Sequence, residues 1–551
     1  MIKKILNTQT QSISFASLIL GLSYFASAAL GLFRDRLLAG KFGAGNELDV
    51  YYTAFTVPDF IVLILVFGAI SAAIIPIFNS YYIKSEEEAW RYVSSLLNIF
   101  LAFLIITCII FIIFTPFFVS LIAPGFGDAK RINTVMLMRI MFLSPIILGV
   151  SNIISGILQN FHRFLVTALA PLMYNLGIII GILFFVPKLG VTGLAWGVVF
   201  GGLLHLLIQI PAFFYSGFSY RVDFNLKHPG ILKTFKLMIP RSMGLGAGQF
   251  NTVVITAIAS TLASGSVAIL NLANNLSAIF VNAIAVSIST AIFPSLSKDY
   301  LKDDKRDFGK KFSNALLQIV FLIIPISVLI FILRAQIVRV ILGTGKFGWI
   351  DTRLTAACLG VFSLGLCFQG LIFILSKTFY AAHNTKIPAL VSFTTVVFNI
   401  LLSLFFVWLL SFNGFFYNFL VWWLKLQGIK NIAVLGLVLA YSITVIAEVF
   451  LLLSLIYKEF KLFNVYDLLK SIYKIIIASF IMAITTLLIR QWLVLFNFVN
   501  LQTFWGVFLQ LVLSGLIGTV VYIIASFLLK SQELKNIKES FFNGRNRQVL
   551  N

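Results

Sequence analysis

Charge is scarce in this chain. Only 11% of its 551 residues are Asp, Glu, Lys or Arg, and just 19 are acidic, so the long polar surfaces that a soluble multidomain protein of this length needs cannot be assembled. Histidine is scarcer still: His162, His205, His228 and His383 are scattered, with no pair at the helical spacing a metal centre requires. Of these, His205 alone falls within an apolar run, where a satisfied core residue is expected. Cys108, Cys358 and Cys367 also sit in apolar runs without metal-ligand spacing, so they read as small buried hydrophobes. No metal, cofactor or disulfide is expected, and with no cluster of acid, base and nucleophile, neither is an enzyme.

What is present is apolar. Hydrophobic residues make up 60% of the sequence, in repeated runs of roughly 18 to 30 residues, the length that crosses a bilayer as a helix. Fourteen runs read as helices: 12–33, 51–80, 92–122, 134–159, 164–187, 190–215, 231–262, 266–297, 312–342, 354–382, 386–410, 432–457, 468–495 and 502–529. The first begins with a basic MIKK and contains Ala-Ser-Ala, as a cleaved signal would, but it is long enough to span and is expected to be retained.

The net charge of +22 does not imply nucleic acid, because the cations lie in short loops without interleaved aromatics. They are distributed by side instead. With the amino terminus in the cytoplasm, 25 Lys and Arg fall on the inner side and 13 on the outer, which is the positive-inside bias. Both termini are then expected in the cytoplasm, and the chain is expected to be a multi-pass protein of a bacterial plasma membrane.

The longest polar break in the first half is SGFSYRVDFNLKHPGILK, residues 216–233. It follows the sixth helix and divides an N-lobe, 1–220, from a C-lobe, 221–460. AIIPIFNSYY (73–82) resembles AIFPSLSKDY (291–300), aligning Pro76 with Pro294, and Asn175 matches Asn399. Equivalent helices are six apart, so the lobes are parallel repeats about an axis along the membrane normal, an arrangement that places a transport site between halves. The fold class expected is an all-α polytopic membrane protein of about 14 transmembrane helices, two six-helix lobes plus two C-terminal helices (461–530). An aromatic segment at 411–431 reads as interfacial, and 531–551 as a basic cytoplasmic tail. The acidic SEEEAW (85–90) reads as solvated.

Ionisable groups inside apolar segments are costly, and each is a functional candidate. They are Arg34, Asp35, Asp49, Asp59, Arg139, Arg241, Lys377 and Glu448. Arg241 lies about 15 Å along the seventh helix, after Pro240 and before GLGAG, with Gln249 and Asn251 following. In the eighth helix, NLANNL sets Asn271, Asn274 and Asn275 on one stripe at 100° per residue, continued by Asn282. Such a stripe faces a partner or a hydrated cavity, not lipid; cross-helix hydrogen bonding is the competing explanation.

GLFRDRLLAGKFGAGNELDVYYTAFTVPDF (31–60), APGFGD (123–128), GILQNFHRFLVTALAPLMYN (156–175), ASGSVAILNLANNL (263–276) and GTGKFGWID (343–351) resemble, in order, segments of the MurJ (MviN) lipid II flippase family of the multidrug/oligosaccharidyl-lipid/polysaccharide exporter superfamily. The resemblance implies two lobes rocking between inward-open and outward-open states, carrying an undecaprenyl-pyrophosphate-linked glycolipid to the outer leaflet while its tail stays in the bilayer. Membrane lipids, and the peptidoglycan synthesis machinery, are the partners it implies; a monomer is expected. Arg34 and Asp49 match family residues.

This chain departs from the pattern where the family carries cavity charges: it has Ala28 for a helix-one arginine, FIVLILVFG (60–68) for an arginine and glutamate in helix two, and Asn274, Asn275 and Ala278 in place of Asp, Arg and Glu in helix eight. The expected substrate contacts are Arg34, Asp49, Asp59, Arg241, Gln249, Asn251, Asn271, Asn274 and Asn275, with Arg241 and the amides replacing part of the missing ionic set. Two alternatives stand beside this reading: a flippase for a capsule or O-antigen unit, and a membrane glycosyltransferase or polymerase.

Overall fold

A computed structural model describes residues 13–67, 74–412, 414–429, 431–460 and 465–536; the side chains of 13–18, 66–67, 239–245, 247 and 465 lie outside the description. The described residues are mostly helical and contain no strand, as suits a chain that must satisfy its own backbone groups in hydrocarbon.

The long helices are α1 (Ile13–Phe42), α2 (Asn46–Ile61), α3 (Glu86–Ile113), α4 (Asp128–Asn160), α5 (Phe164–Leu189), α6 (Thr192–Phe214), α7 (Pro229–Ser260), α8 (Ser266–Leu301), α9 (Lys305–Ile341), α10 (Trp349–Ala381), α11 (Lys386–Ser411), α12 (Val434–Phe460), α13 (Val465–Leu495) and α14 (Phe504–Leu528). Among the described residues, 12 helices are long and apolar enough to cross a membrane. These include all of the long helices except α1 and α7.

Several starts are fixed by side-chain caps. Ser85 accepts the Glu88 amide at α3, Asp304 the Asp307 amide at α9, and Thr503 the Gly506 amide at α14. The acidic SEEEAW is therefore not merely solvated: it forms the first turn of α3, where Glu86 also accepts from the Trp90 indole at 3.2 Å. Beyond Phe114 the chain restarts as a short helix, Thr115–Ile122, because Pro116 cannot donate and the Thr115 hydroxyl takes up the Phe111 and Ile112 carbonyls.

The chain forms two compact units, 1–268 and 269–551. In the first, α5 packs on α1 and α6, and α4 on α2, α3 and α6. The α5/α6 contact is backbone against backbone: a Cβ on Gly177 would stand 2.3 Å from the Gly201 Cα, and one on Gly181 2.4 Å from the Gly197 Cα, the close approach that small residues four apart permit. His205 is indeed a satisfied core histidine, with its Nδ1 2.7 Å from the Ser151 hydroxyl and Gln209 donating to the same oxygen at 2.8 Å. Cys108, Cys358 and Cys367 are buried thiols.

The first unit extends further along the chain than the polar loop after α6, because α7 is fastened to it at both ends. At its start, Tyr92 of α3 and Thr234 share a hydrogen bond of 2.7 Å, and the preceding loop is tied to α3 by Arg91 to Asp223 at 2.9 Å and Asn98 to the Asp223 carbonyl at 3.0 Å. At its end, the Gly125 amide donates to the Ser260 hydroxyl at 3.2 Å, and a Cβ on Gly125 would meet the Ser260 carbonyl oxygen at 2.3 Å.

In the second unit α10 packs on α8, α9 and α12, α11 on α12, and the α13/α14 pair on α9. The 411–431 segment contains one short helix, Phe415–Trp423, with Phe415 and Trp422 exposed. The tail beyond 536 lies outside the described residues.

Candidate functional site

Arg34 is about 12 Å short of the end of α1. Its guanidinium forks onto Asp35 Oδ1, from Nε at 3.0 Å and Nη2 at 2.8 Å, while Nη1 donates to Asn175 Oδ1 on α5 at 3.1 Å. Asn175 in turn donates to the Ser27 hydroxyl at 3.2 Å. The Asp35 side chain is 4% exposed and that of Arg34 21%, so the pair is rooted in the protein with one edge of the cation accessible. Such a charge-assisted, nearly planar fork holds the guanidinium in one orientation.

Asp59 stands about 20 Å along α2, exposed, and within electrostatic reach of Arg34 and Tyr174. Tyr51 and Tyr52 flank the same group. An accessible carboxylate at that depth must face a hydrated path or polar protein, since hydrocarbon would not accommodate it. The first unit therefore gathers Arg34, Asp35, Asp59 and Asn175 around Ser27 and three tyrosines, from helices α1, α2 and α5. Arg34, Asp35 and Asp59 stand out in the sequence as ionisable groups inside apolar segments, Arg34 and Asp59 also as expected substrate contacts. Asn175 was visible only as a repeat match, and the tyrosines carried no signal.

Asp49 is held differently. It is 1% exposed, and its two carboxylate oxygens accept from three donors: Lys130 Nζ at 2.8 Å and the Gly265 amide at 2.7 Å on Oδ2, and the Ala268 amide at 3.0 Å on Oδ1. The amides belong to the entry and first turn of α8, where unpaired N–H groups and the helix dipole favour an anion. Gly265 has φ +87°, and a Cβ there would stand 2.0 Å from the Ala44 carbonyl oxygen; only glycine fits. Placed by its sequence context among the substrate contacts, Asp49 is in this structure fully engaged as a clamp.

In α7, Gln249 and Asn251 are half-buried, and the Asn251 Oδ1 has no partner among the described residues. The backbone of Arg241 lies in α7, but its side chain falls outside the described residues. In α8, Asn274 is exposed and Asn271 and Asn275 are half-buried; the exposed Asn282 opens a π-helical segment, Asn282–Val286. Other ionisable groups have local explanations. Arg139 donates to the Ile112 carbonyl, Lys377 stands over the Phe293 ring at 4.9 Å, and Glu448 accepts from Ser392.

No group of three or more His, Cys, Asp or Glu residues that could hold a metal occurs among the described residues. What the arrangement offers is a fixed guanidinium, amides and phenols along long apolar helices, which is equipment for binding a polar group.

The family model described as "Lipid II flippase MurJ" matches residues 38–509. A probable lipid II flippase MurJ of Buchnera aphidicola subsp. Acyrthosiphon pisum is 32% identical over 393 residues, 70% of this chain and 77% of that protein. One from Thermotoga maritima is 28% identical over 95% of this chain and 98% of its own. Among solved structures, "Lipid II flippase MurJ, inward closed conformation" superposes with a TM-score of 0.74 at 28% identity, covering 93% of this chain and 98% of that one. An inward-facing MATE-family multidrug transporter of the MOP superfamily follows at 0.61 and 14% identity, a likeness of fold alone. The chain belongs to the MurJ lipid II flippase family.

Proposed function

We infer that this protein is a lipid II flippase: a transporter, not an enzyme, that carries the lipid-linked peptidoglycan precursor from the inner to the outer leaflet of the bacterial cytoplasmic membrane for cell wall synthesis. The observation that carries the reading is the Arg34 fork, an oriented guanidinium with an accessible edge in the long helix α1. Moving a pyrophosphate through hydrocarbon without such donors is prohibitive. Family membership favours lipid II over a capsule or O-antigen unit.

In this reading fourteen helices span, both termini are cytoplasmic, and transport proceeds by alternating access of two repeated halves. One feature supports the repeat: Pro76 follows the π-helical Val62–Phe67, as Pro294 follows the π-helical Asn282–Val286. Arg34, Asp59, Arg241, Gln249, Asn251, Asn271, Asn274 and Asn275 meet the headgroup along the path, and Asp49 serves it indirectly by holding the entry to α8. The protein acts as a monomer and hands its product to the peptidoglycan synthesis machinery.

Complementation of a strain depleted of its own flippase tests this. The wild-type chain is expected to restore growth, and Arg241→Ala combined with Asn275→Ala to impair it; unimpaired rescue by the double variant would remove those two residues from the path. A chain that never rescues growth despite membrane insertion counts against the function itself.

A further inference from the structure

The second unit contains a cavity of about 660 Å³ whose walls include Arg334, Arg353, Lys425 and Arg490 and no acidic side chain. Its cations have neutral partners. Arg334 donates to the Phe331 carbonyl at 2.6 Å, Arg490 to the Ile332 carbonyl at 2.7 Å, and Arg353 to the carbonyls of Gln427 and Lys425. Among the described residues none of the four has a carboxylate within 4.0 Å. Arg334 and Arg490 are close enough to repel one another, and the buried Gln336 Oε1 beside them has no partner among the described residues.

Their depth makes the absence of an anion costly. Arg334 lies about 10 Å, and Arg490 about 8 Å, inside the ends of α9 and α13. Two guanidinium groups at that level can reach the interface only along their own stems. The charge alternation puts this end of the helices on the outer side, where cations are otherwise few.

The remaining walls show what kind of anion fits. Arg334 stacks on the Phe331 ring at 4.8 Å and Arg353 lies 6.0 Å from the Trp349 ring, so aromatic faces hold the guanidinium planes while their edges stay free to donate. Leu487, Ile332 and Leu424 supply an apolar side, with Leu487 exposed on α13. A free inorganic anion would have no use for that side, whereas a lipid would lay its chain there.

We propose that this cavity binds the phosphate headgroup of an anionic membrane lipid in the outer leaflet, with Arg334, Arg353 and Arg490 as its donors and the lipid chain along Leu487 of α13. The site lies wholly within the second unit and does not depend on which glycolipid the protein transports.

Native mass spectrometry of the full-length protein, delipidated in detergent and re-exposed to phosphatidylglycerol, phosphatidylcholine or inorganic phosphate, tests the assignment. Retained phosphatidylglycerol is expected on the wild type and to fall about tenfold or more, near 1.4 kcal/mol, in Arg334→Gln/Arg490→Gln. It should hold in a control bearing Lys302→Gln and Lys305→Gln, which alters the opposite end of the helices. Phosphatidylcholine, whose headgroup carries its own cation, should be retained less, and millimolar inorganic phosphate should not displace the lipid. Should the double variant fail to fold, Arg353→Gln and the pocket-filling Leu487→Trp are each expected to lower retention. Equal retention by wild type and cavity variants overturns the proposal, as does full displacement by inorganic phosphate, which would indicate a free-anion site.

Discussion

The cations of the Arg34 fork and the Asp49 clamp in the first unit are held differently from those that line the cavity of the second. In the first, Arg34 is forked onto Asp35 and Lys130 is paired with Asp49, each at 2.8 Å. In the second, Arg334, Arg353 and Arg490 donate to backbone carbonyls. Pairing a buried cation with a carboxylate makes it a structural part whose removal leaves a lone charge behind. A cation held only by carbonyls keeps its charge for something outside the protein. In the proposed reading, the difference separates residues that shape the path from residues that remain available to an anion, and Arg34 belongs to both groups because Asn175 and Asp35 leave one edge of it accessible.

The largest effect should come from breaking the most buried pair. Asp49→Ala strands Lys130 and uncaps two amides at the start of α8, so thermal unfolding in detergent should show a loss of about 3–5 kcal/mol, together with failed complementation. Asp35→Ala should come next: it leaves Arg34 charged and misoriented, with a loss of about 2–3 kcal/mol and a transport rate reduced more than the stability loss alone explains. Arg34→Lys, which keeps the charge but loses the fork, separates orientation from charge; a rate lowered about tenfold at near-normal stability is expected. Arg490→Gln in the second unit should be the reverse case, with stability within about 1 kcal/mol of wild type or slightly above it, because it relieves a repulsion. A stability loss there as large as that of Asp49→Ala would erase the contrast.

The smallest effect concerns the strap before α7. Hydrogen bonding from Arg91 holds the Asp223 carboxyl below the usual carboxylate range. A depressed carboxylate stabilises the fold above its unfolded value, about 3.9, and the contribution is lost as pH falls through the lower folded value. Amide-exchange protection in residues 218–228, relative to the intrinsic rate at each pH, should therefore be flat between about pH 8 and pH 5 and fall only below about pH 4, and Asp223→Asn should remove the fall.

Much of the fold was legible because apolar runs of spanning length allow little else. Boundaries were less so. The first helix was expected to stop at residue 33 and continues to Phe42; RDR reads as a loop until Asp35 is seen accepting from Arg34 within the helix. Likewise α9 begins at Lys305 and not at 312, because Asp304 caps a polar first turn that hydropathy cannot register. The π-helical turns at Val62–Phe67 and Gly181–Phe185 have no sequence signal. In the site, Arg34 was visible as a charge out of place. The role of Asp49 was not, because its partners are backbone amides 216 and 219 residues away, and backbone donors leave no trace in side-chain patterns. The outer cations of the second unit were counted for topology, yet their convergence needed α9, α10 and α13 brought together.

In the amide stripe of α8, Asn274 and Asn282 are exposed in a helix long and apolar enough to cross a membrane. Asn271 and Asn275 are half-buried and engaged, so the stripe is partly covered by protein and partly exposed.

The most direct measurement is the leaflet accessibility of lipid II in cells depleted of their own flippase and supplied with this chain. Wild type should restore outer-leaflet lipid II, and Arg34→Ala, inserted at equal abundance, should leave it in the inner leaflet. Lipid II that stays inaccessible with wild type, or becomes equally accessible with Arg34→Ala, would contradict the account.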